Sequence, residues 1–391
     1  MTKSRGWWMM DKRKYNTLTE AIAAVPDPRK ARGKRHAWTL ILTLIAAALV
    51  CGQRTGRAMG QWVEAHAEEI RAHLALPDRP LPSTSTLRRA LRALDVTALE
   101  DRLAQFTQGL QPPPNPPIIC PWRGQAVDGK AVRGAQAHGG KLHLVSLVQH
   151  QPALVRRQVR VAAKSNEIRA IPSLLRGLEL QGTVTTLDAH LAQQTIAQQI
   201  LDQHGHYLMI VKQNQPELYA AIALLFQAPY QPEPEDHYQV YTYHTKGHGR
   251  LETRTLERSA ALNDYVIWPR VGQVLRRTCE RIQLKTGKRS CEVTYGVTSL
   301  PVEAATARQV ERLWRGHWTI ENRVHYVRDV TLGEDAGQIH TGQAPHGLAA
   351  LRNGILNLLR SKGATDIAGA LRHYGASLQR VFALIGVPSR L

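Results

Sequence analysis

The chain has 391 residues, of which 51 are Lys or Arg and 31 are Asp or Glu, so its formal net charge at pH 7 is +20. Hydrophobic residues make up 43% and charged residues 21% of the chain, which are ordinary values for a globular protein and exclude the disordered and collagen-like classes. The surplus of positive charge predicts a polyanionic partner, and the length predicts two or three domains.

The four cysteines lie far apart and form no C-x-x-C pair, which excludes a disulfide framework or a cysteine zinc site and favours a reducing cytosol. Residues 37–51 are mostly apolar and follow a basic run, as in a signal sequence. They fall short of the roughly 20 residues that a bilayer requires. We expect a buried helix there and no contact with a membrane.

The first 110 residues have helical apolar periodicity and no alternating strand pattern. The predicted helices cover residues 17–25, 38–50, 59–74 and 86–106. The run Q-P-P-P-N-P-P that follows forbids a helix and favours extended geometry. The sequence therefore predicts a helical N-terminal domain over 1–110 and a Pro-rich linker over 111–121.

Short β-rich segments begin after the linker. Three strands are predicted before residue 162, followed by helix, strand, helix and strand up to Lys212. The order βββαβαβ describes a mixed sheet covered by helices, an α/β (α+β) class, and the ribonuclease H-like fold has this order. We expect this core to comprise residues 122–229 and 303–335.

The second half of the chain contains a further β-rich stretch. Alternating segments predict a β-rich insertion over residues 230–302. Helical periodicity returns at 304–330, and residues 336–391 are predicted to form two or three C-terminal helices. There, Leu351, Ile355, Leu358 and Leu359 repeat at helical spacing, which is typical of a core face or of a subunit interface.

Three acidic residues stand out by their positions. Asp128 lies in the first predicted strand, Asp188 at the end of the fourth and Glu321 on the late helix. In a mixed sheet of this order we expect the first and fourth strands to be neighbours, so that these carboxylates can share a cation. Hard oxygen donors suit Mg²⁺ or Mn²⁺, and two such ions about 4 Å apart support phosphodiester chemistry. The alternative is that each is an ordinary surface carboxylate.

The spacing around Glu321 adds a second pattern. Trp314, His317 and Arg328 stand at −7, −4 and +7 from it, so an α-helix would align all four side chains in one stripe. The carboxylate of such a stripe can bind a metal ion, and the side chains at its two ends can bind phosphates. The alternative is a solvated helix face with Trp314 in the core.

Several segments together resemble the DDE transposases of bacterial insertion sequences, nearest to the ISAs-type group that includes the H-repeat-associated proteins. They appear in family order and read A-V-D-G-K-A-V-R-G from residue 126, K-S-N-E-I from 164, T-L-D-A-H from 186, G-H-Y-L-M-I-V-K-Q-N-Q-P from 205, G-H-G-R-L-E-T-R from 247 and H-W-T-I-E-N-R-V-H-Y-V-R-D-V-T-L-G-E-D from 317. D-P-R at 27 and L-P-S-T-S-T-L-R-R at 81 are similar to the group's N-terminal region.

The resemblance implies a ribonuclease H-like core in which Asp128, Asp188 and Glu321 bind Mg²⁺, with Mn²⁺ as a substitute and two ions in the site. It also implies a β-rich insertion before the helix that carries Glu321. Related transposases have Tyr, two residues, Arg, three residues, Glu, six residues and Lys. This chain keeps the spacing with Trp314, His317 and Arg328, to which the resemblance extends DNA-contact roles.

Further DNA-contact candidates lie outside that helix. Ser83 or Ser85 can cap a helix that has three leucines facing inward and three arginines facing outward. The leucines are Leu87, Leu91 and Leu94, and the arginines are Arg88, Arg89 and Arg92. Ten basic and three acidic residues in the first 35 add to the positive charge. The pattern predicts a binder of terminal-repeat DNA, or otherwise a solvated basic face.

The segment G-H-G-R has histidines nearby that are compatible with zinc, but no cysteine lies there and no third ligand has a recognisable spacing. We expect its glycines to permit a tight turn that brings Lys246 and Arg250 to DNA. Lys212, at the end of a predicted strand, is the remaining DNA-contact candidate.

These observations predict a transposase that cleaves and transfers DNA strands at the ends of an insertion sequence. Its partners would be double-stranded DNA, as terminal inverted repeats and target, and further copies of itself in a homodimer or larger assembly. We expect it in the bacterial cytoplasm, at the nucleoid. The alternatives are an inactive transposase-derived DNA-binding protein, a ribonuclease H-like nuclease and a glycoside hydrolase, although the last has no need of a +20 charge.

Overall fold

The computed structural model of the protein describes residues 15–76, 79–110, 121–137, 140–162, 166–227, 231–337 and 339–388. The predicted Pro-rich linker therefore lies outside the described residues, apart from its last residue, Pro121. Five of the ten basic residues predicted to add charge near the N-terminus also lie outside them, before Tyr15.

The N-terminal region is entirely helical where it is described, as predicted. Its helices are α1 (Leu18–Ala23), α2 (Trp38–Val50), α3 (Gly56–Ala65), α4 (Ala67–Leu74), α5 (Thr84–Ala93) and α6 (Val96–Gly109). Two of the predicted helices are each divided in two. The break between α5 and α6 falls at Asp95, whose side chain accepts a hydrogen bond from the Ala98 N–H at 3.0 Å and so begins a new helix.

Nine strands form one mixed sheet. They are β1 (Arg123–Ala137), β2 (Gly140–Gln149), β3 (Val155–Arg160), β4 (Thr183–Leu187), β5 (His206–Val211), β6 (Gln239–Gly247), β7 (Arg250–Ser259), β8 (Gln273–Gln283) and β9 (Arg289–Thr298). Their spatial order is β3-β2-β1-β4-β5-β9-β8-β7-β6. β1 is parallel to β4 and β4 to β5, and every other pair is antiparallel.

The predicted order βββαβαβ is confirmed. α7 (Glu167–Leu175) connects β3 to β4, and α8 (Gln194–Asp202) connects β4 to β5. The predicted β-rich stretch is also present, and it continues the same sheet because β9 pairs with β5. β6, β7 and β8 then extend the sheet to its far edge.

Helices cover both faces of the central strands. Val127 and Leu147 pack with α7, α8 and α9 (Pro216–Gln227) on one face, whereas their neighbours Ala126 and Val148 join the core on the other. α10 (Ala307–Gly316) covers β4 and β5 on that second face. Successive strand residues point to opposite faces, so apolar runs of this kind indicate a sheet buried on both sides.

Three C-terminal helices follow, as predicted: α11 (Ala344–Ser361), α12 (Ile367–Gly375) and α13 (Leu378–Ile385). They share one hydrophobic core with α1 to α6, and α11 packs against α2, α5 and α6. The leucine and isoleucine stripe of α11 is at most 5% exposed and lies in this core. Its interpretation as a subunit interface was wrong, because the N-terminal helices already cover it.

The Asn357 side chain joins α11 to the backbone of the edge strand β3. The Asn357 amide accepts a hydrogen bond from the Val155 N–H at 2.8 Å and donates to the Val155 carbonyl at 2.8 Å. The same amide donates to the Thr107 hydroxyl of α6. Burying an edge strand requires a partner for its backbone polar groups, and Asn357 supplies it.

None of the described helices is both long and apolar enough to cross a bilayer.

Candidate functional site

Asp128 and Asp188 occupy adjacent positions on two neighbouring strands. In the parallel pairing of β1 with β4, Val127 lies opposite Leu187 at the last paired position, and each aspartate is the next residue of its chain. The prediction that the first and fourth strands are neighbours is therefore confirmed. Both aspartates are half-buried at the point where β4 ends.

Burial and nearby negative charge raise the pKa of Asp128 from 3.8 to about 7. Burial is the largest cause, and the charges of Glu167, Glu321 and Asp188 act in the same direction, against a hydrogen bond from the Gly129 backbone. Asp128 therefore interacts electrostatically with both other members of the predicted triad.

Glu167 is a fourth carboxylate at this site, and our sequence reasoning did not single it out. It lies in the first turn of α7, which is capped by Asn166, and its Oε1 is 2.6 Å from His143 Nε2. A Cβ at position 129 would stand 1.9 Å from Glu167 Oε1, so the glycine after Asp128 permits this close approach. Two sequence features could have indicated Glu167: the D-G pair at 128–129, and the K-S-N-E segment, which is one of those that resemble the family.

As the side chains stand, no three His, Cys, Asp or Glu residues among the described ranges are grouped so that they hold one metal ion. The groups around Asp128 are nevertheless carboxylates, the hard oxygen donors that Mg²⁺ and Mn²⁺ prefer. Their mutual repulsion raises the pKa of Asp128, and a divalent cation relieves repulsion of this kind. The donor set therefore fits a divalent cation in its chemistry.

Glu321 is exposed and lies in a π-helical segment, Ile320–His325, which is followed by a second one, Val327–Thr331. The Tyr326 N–H donates to the Glu321 carbonyl and the Leu332 N–H to the Val327 carbonyl, both five residues apart. π-Helical turns are rare in proteins, but those that occur are often found at functional sites.

The predicted stripe of four side chains is not observed. Glu321 is exposed, whereas Trp314 and Arg328 are 0% exposed and His317 is 8% exposed. The prediction assumed the α-helical angle between residues throughout, and the wider π-helical turns change that angle after residue 320. Trp314 packs in the core beside Gly296, as the alternative interpretation expected.

A chain of hydrogen bonds lies beneath Asp188. Thr186 Oγ1 is 3.0 Å from His317 Nδ1 and 3.1 Å from His150 Nε2. Burial lowers the pKa of both histidines, that of His150 to about 3, so both rings are neutral at pH 7. His317 thus joins the late helix to the strand that ends at Asp188.

The loop after Asp188 is also held by two side chains that sequence reasoning did not identify. Asn214 donates to the Ala189 carbonyl at 2.6 Å, and Gln215 donates to the Ala192 carbonyl at 2.9 Å. Both belong to the K-Q-N-Q segment after β5. The matching segment therefore positions the backbone next to Asp188.

The π-helical segments are tied to β1 by one ion pair and lie close to it at a second point. His325 Nδ1 lies 3.6 Å from Asp128 Oδ2, and Lys130 Nζ is 2.6 Å from the Asp329 carboxylate. Burial, with the charges of Arg328 and Lys130, lowers the pKa of His325 to about 3. This ring is therefore neutral at pH 7 beside Asp128.

Arg328 and Glu334 form a fully buried pair. Arg328 Nε and Nη2 donate to the two carboxylate oxygens of Glu334 at 3.1 and 2.7 Å, and Nη1 donates to Gln158 Oε1 at 2.8 Å. Arg352 lies 3.4 Å from the same carboxylate. Burial opposes ionisation of Glu334, but the two arginines keep its pKa below the ordinary value.

Arginines surround a cleft of about 580 Å³ between β7, β8, β9 and the start of the π-helical segments. Two glutamates, Glu252 and Glu292, also line it, so its positive charge is not balanced within the cleft. Trp318 is 36% exposed there, with the Arg277 guanidinium 5.3 Å from its ring. The cationic lining residues are Arg250, Arg254, Arg277, Arg281, Arg315 and Arg323.

The predicted tight turn at G-H-G-R is confirmed. β6 ends at Gly247 and β7 begins at Arg250, and the two residues between them, His248 and Gly249, both have positive φ. This is the geometry of a two-residue hairpin turn that follows the twist of the strands. Lys246 and Arg250 are both exposed beside the turn, although Arg250 also pairs with Glu252 at 2.7 Å.

The predicted basic helix also has the expected orientation. Ser83 caps α5, whose three inward leucines are at most 1% exposed. Its three outward arginines, Arg88, Arg89 and Arg92, are exposed. Lys212 is exposed at the end of β5. The candidates thus divide into six exposed cations and the buried set of Trp314, His317 and Arg328.

Two family models match the chain. Residues 122–358 match the model described as "Transposase DDE domain", and residues 19–107 match the one described as "DDE_Tnp_1-associated". The first match covers more than half of the chain. The protein belongs to the family of transposases with a DDE domain, and the resemblance inferred from its motifs is confirmed.

The chain is similar along most of its length to relatives from Escherichia coli. The protein named "Putative transposase YncI" from strain O157:H7 is 29% identical over 91% of this chain and 90% of its own. "H repeat-associated putative transposase YhhI" from strain K12 is 26% identical over 88% and 90%. A cryo-EM structure of the piggyBac transposase synaptic complex with hairpin DNA aligns with 95% of this chain and 78% of that chain, at 10% identity and a TM-score of 0.42.

The raised pKa of Asp128 predicts a pH-dependent effect of Asp128→Asn on stability. Because the folded pKa is about 7 and the unfolded pKa near 3.8, ionising Asp128 destabilises the wild-type fold as the pH rises between these values. The variant should gain stability over the wild type from pH 4 to pH 8, by up to about 4 kcal/mol. Urea denaturation in EDTA at both pH values measures this difference.

Asp202→Asn is the matched control, because Asp202 is exposed and its side chain accepts a single described hydrogen bond, from Gln198. Its stability relative to the wild type should not change in the same way with pH. An Asp128→Asn gain that is equal at pH 4 and pH 8 would contradict a raised pKa.

Proposed function

We propose that this transposase catalyses metal-dependent DNA strand cleavage and strand transfer at the ends of an insertion sequence. The observation that carries the proposal is the placement of Asp128 and Asp188 at adjacent positions of β1 and β4, within the segment that matches the DDE family model. Glu321, whose charge acts on Asp128, completes the triad.

We further propose a ribonuclease H-like core for this chain, supported by the βββαβαβ order and the parallel neighbours β1, β4 and β5. In this division residues 1–110 form the DNA-binding domain and 111–121 the linker. Residues 122–229 and 303–335 form the core, 230–302 the β-rich insertion and 336–391 the C-terminal helices. The core shared by α1 to α6 and α11 to α13 joins the first and last parts.

Asp128, Asp188 and Glu321 would hold Mg²⁺, or Mn²⁺ in its place, as a pair of ions. When bound, the ions activate the attacking oxygen and stabilise the leaving oxygen of a phosphodiester. The protein's own residues prepare the site for this. Asp128 must lose its proton to become a ligand, and a neutral His325 beside it leaves its charge available.

If the three carboxylates bind the metal ions, replacing any one of them should impair DNA cleavage without weakening DNA binding. Asp128→Asn, Asp188→Asn and Glu321→Gln each keep the size of the side chain and remove a ligand charge. Each should lower cleavage of an end-containing duplex by more than the roughly 100-fold that loss of an outer-shell partner costs. Affinity for the same duplex should stay near the wild-type value, because phosphate contacts supply it.

Cleavage assays across a Mg²⁺ and Mn²⁺ titration, paired with mobility-shift titrations, measure the two effects. Asp202→Asn again serves as the control and should leave both unchanged. Cleavage that persists in any of the three triad variants would sink the assignment of that residue.

DNA contacts are proposed for the six exposed cations. Arg88, Arg89 and Arg92 on α5 would bind the terminal repeats, and Lys246 and Arg250 at the hairpin turn would contact the backbone together with Lys212. The excess of arginines in the adjacent cleft supports a path for phosphates toward Glu321. Trp314, His317 and Arg328 are buried, so we assign them no direct contact.

Replacing Arg88, Arg89 and Arg92 together by Gln should weaken end binding and make it less dependent on salt. Each lost phosphate contact flattens the slope of log affinity against log salt by about 0.9, so three contacts predict a change of about 3. Fluorescence anisotropy from 50 to 200 mM salt measures the slope.

A second triple variant controls for the loss of charge. Arg176, Arg372 and Arg380 are also exposed, and their replacement by Gln removes the same charge at other surfaces. If both triple variants change the slope equally, α5 has no special role in binding the ends.

Assembly on DNA is proposed because strand transfer joins two ends and each chain supplies one triad. Two ends then require at least two chains, which supports a homodimer or larger complex at the bacterial nucleoid, in the cytoplasm. Analytical ultracentrifugation on paired-end DNA should find at least two protomers for two ends. A cleavage-competent complex with one protomer on two ends would contradict this stoichiometry.

A further inference from the structure

The Arg328 guanidinium is buried, and each of its three nitrogens already donates a hydrogen bond inside the protein. It is 0% exposed, Nε and Nη2 are bonded to Glu334, and Nη1 is bonded to Gln158 of β3. A DNA contact by this guanidinium would require the buried pair to open. A buried guanidinium and carboxylate that separate lose their charge compensation inside the protein.

The pair closes the end of the second π-helical segment. The Glu334 N–H donates to the Arg328 carbonyl at 2.9 Å, so backbone and side chain join the same two residues. Between them, Gly333 has a φ of +62°, the left-handed conformation that turns the chain back toward Arg328. Arg352 of α11 and Gln158 of β3 then fix this turn to the rest of the molecule.

The two consecutive π-helical segments, the first of which carries Glu321, are thereby anchored on two sides. Toward β1 they are held by the ion pair of Asp329 with Lys130, and His325 lies beside Asp128. Toward β3 and α11, one anchor is Arg328, and another is Arg360 of α11, which donates to the Arg323 carbonyl. The five-residue hydrogen-bond pattern is rare and needs such support from the surrounding structure.

We propose that Arg328 is a positioning residue that, together with Glu334 and Arg352, fixes the π-helical segment and through it Glu321. Arg328 makes no contact with DNA. The effect on Glu321 rests on the proposed function, in which Glu321 is a metal ligand, whereas the effect on the segment does not.

Two variants separate positioning from DNA contact. Arg328→Lys keeps the positive charge and removes the two-pronged geometry, and Glu334→Gln keeps the shape and removes the negative charge. Positioning requires the intact pair, so both variants should be impaired. A phosphate contact requires charge alone, so Arg328→Lys would retain it and Glu334→Gln would not weaken it.

Amide hydrogen exchange of the full-length protein, without metal or DNA, is the first measurement. Both variants should exchange at least about tenfold faster than the wild type over residues 320–334, because breaking a buried ion pair is strongly destabilising and makes local opening easier. The Mg²⁺ concentration for half-maximal cleavage should rise by a similar factor, with end-DNA affinity unchanged within about twofold.

The exposed pair Arg372 and Asp366, separated by 4.0 Å, provides matched controls. Arg372→Lys and Asp366→Asn should change neither exchange over 320–334 nor the Mg²⁺ requirement. If Glu334→Gln does not fold, as judged by circular dichroism, the milder Arg328→Lys carries the test.

Wild-type exchange over 320–334 in Arg328→Lys overturns the positioning role, even if Asp128→Asn abolishes cleavage. Normal exchange and an unchanged Mg²⁺ requirement in both variants, with end-DNA affinity retained in Arg328→Lys, is the pattern that a phosphate contact predicts, and it overturns the positioning role. Faster exchange in both variants, together with cleavage that requires no metal in the wild type, contradicts the proposed function and leaves the structural role of Arg328 standing.

Discussion

The parallel pairing of β1 with β4 is the constraint on which the rest of the molecule depends. Parallel neighbours cannot be joined by a tight hairpin, so the chain passes through β2, β3 and α7 before it returns as β4. Both strands lie inside the sheet, and apolar cores cover both of its faces. A slip of one residue would turn β4 over and move Asp188 away from Asp128, so burial itself fixes the two carboxylates in register.

Charge is distributed unevenly around this pairing. Carboxylates gather at the end of β4, whereas arginines line the neighbouring cleft and the outer face of α5. The negative side chains repel one another at close range, and the positive ones form a surface suited to a polyanion. Negative charge is thus concentrated at the end of β4 and positive charge around it, and the net charge of +20 shows that positive side chains predominate over the whole chain.

Much of this arrangement could be predicted because it follows from local patterns. Strand alternation, the cap at Ser83 and the glycines at the hairpin turn each determine a neighbouring element. The π-helical turns could not be predicted, because apolar periodicity does not show whether a backbone N–H donates to the carbonyl four or five residues before it. Arg328 could not be recognised as buried, because its partner Glu334 faces it only after the turn at Gly333.

The other features that were not predicted depend on contacts between residues far apart in the sequence. Glu167 resembles an ordinary acidic residue in the first turn of a helix until the fold brings it against Gly129. The stripe of α11 has an apolar face that fits a partner subunit equally well, and the tertiary structure instead supplies helices from the other end of the same chain. Sequence patterns show that a face is buried, but they do not show which surface covers it.

That shared core has a consequence for synthesis. A ribosome completes α1 to α6 long before it has made α11 to α13, and domains generally fold as units while the chain emerges. Here the first helices wait for the last ones, because their apolar surfaces face each other. A nascent or prematurely terminated chain therefore lacks the helices that complete the core beneath Arg88 and Arg89, and this core closes only once α11 to α13 have been made.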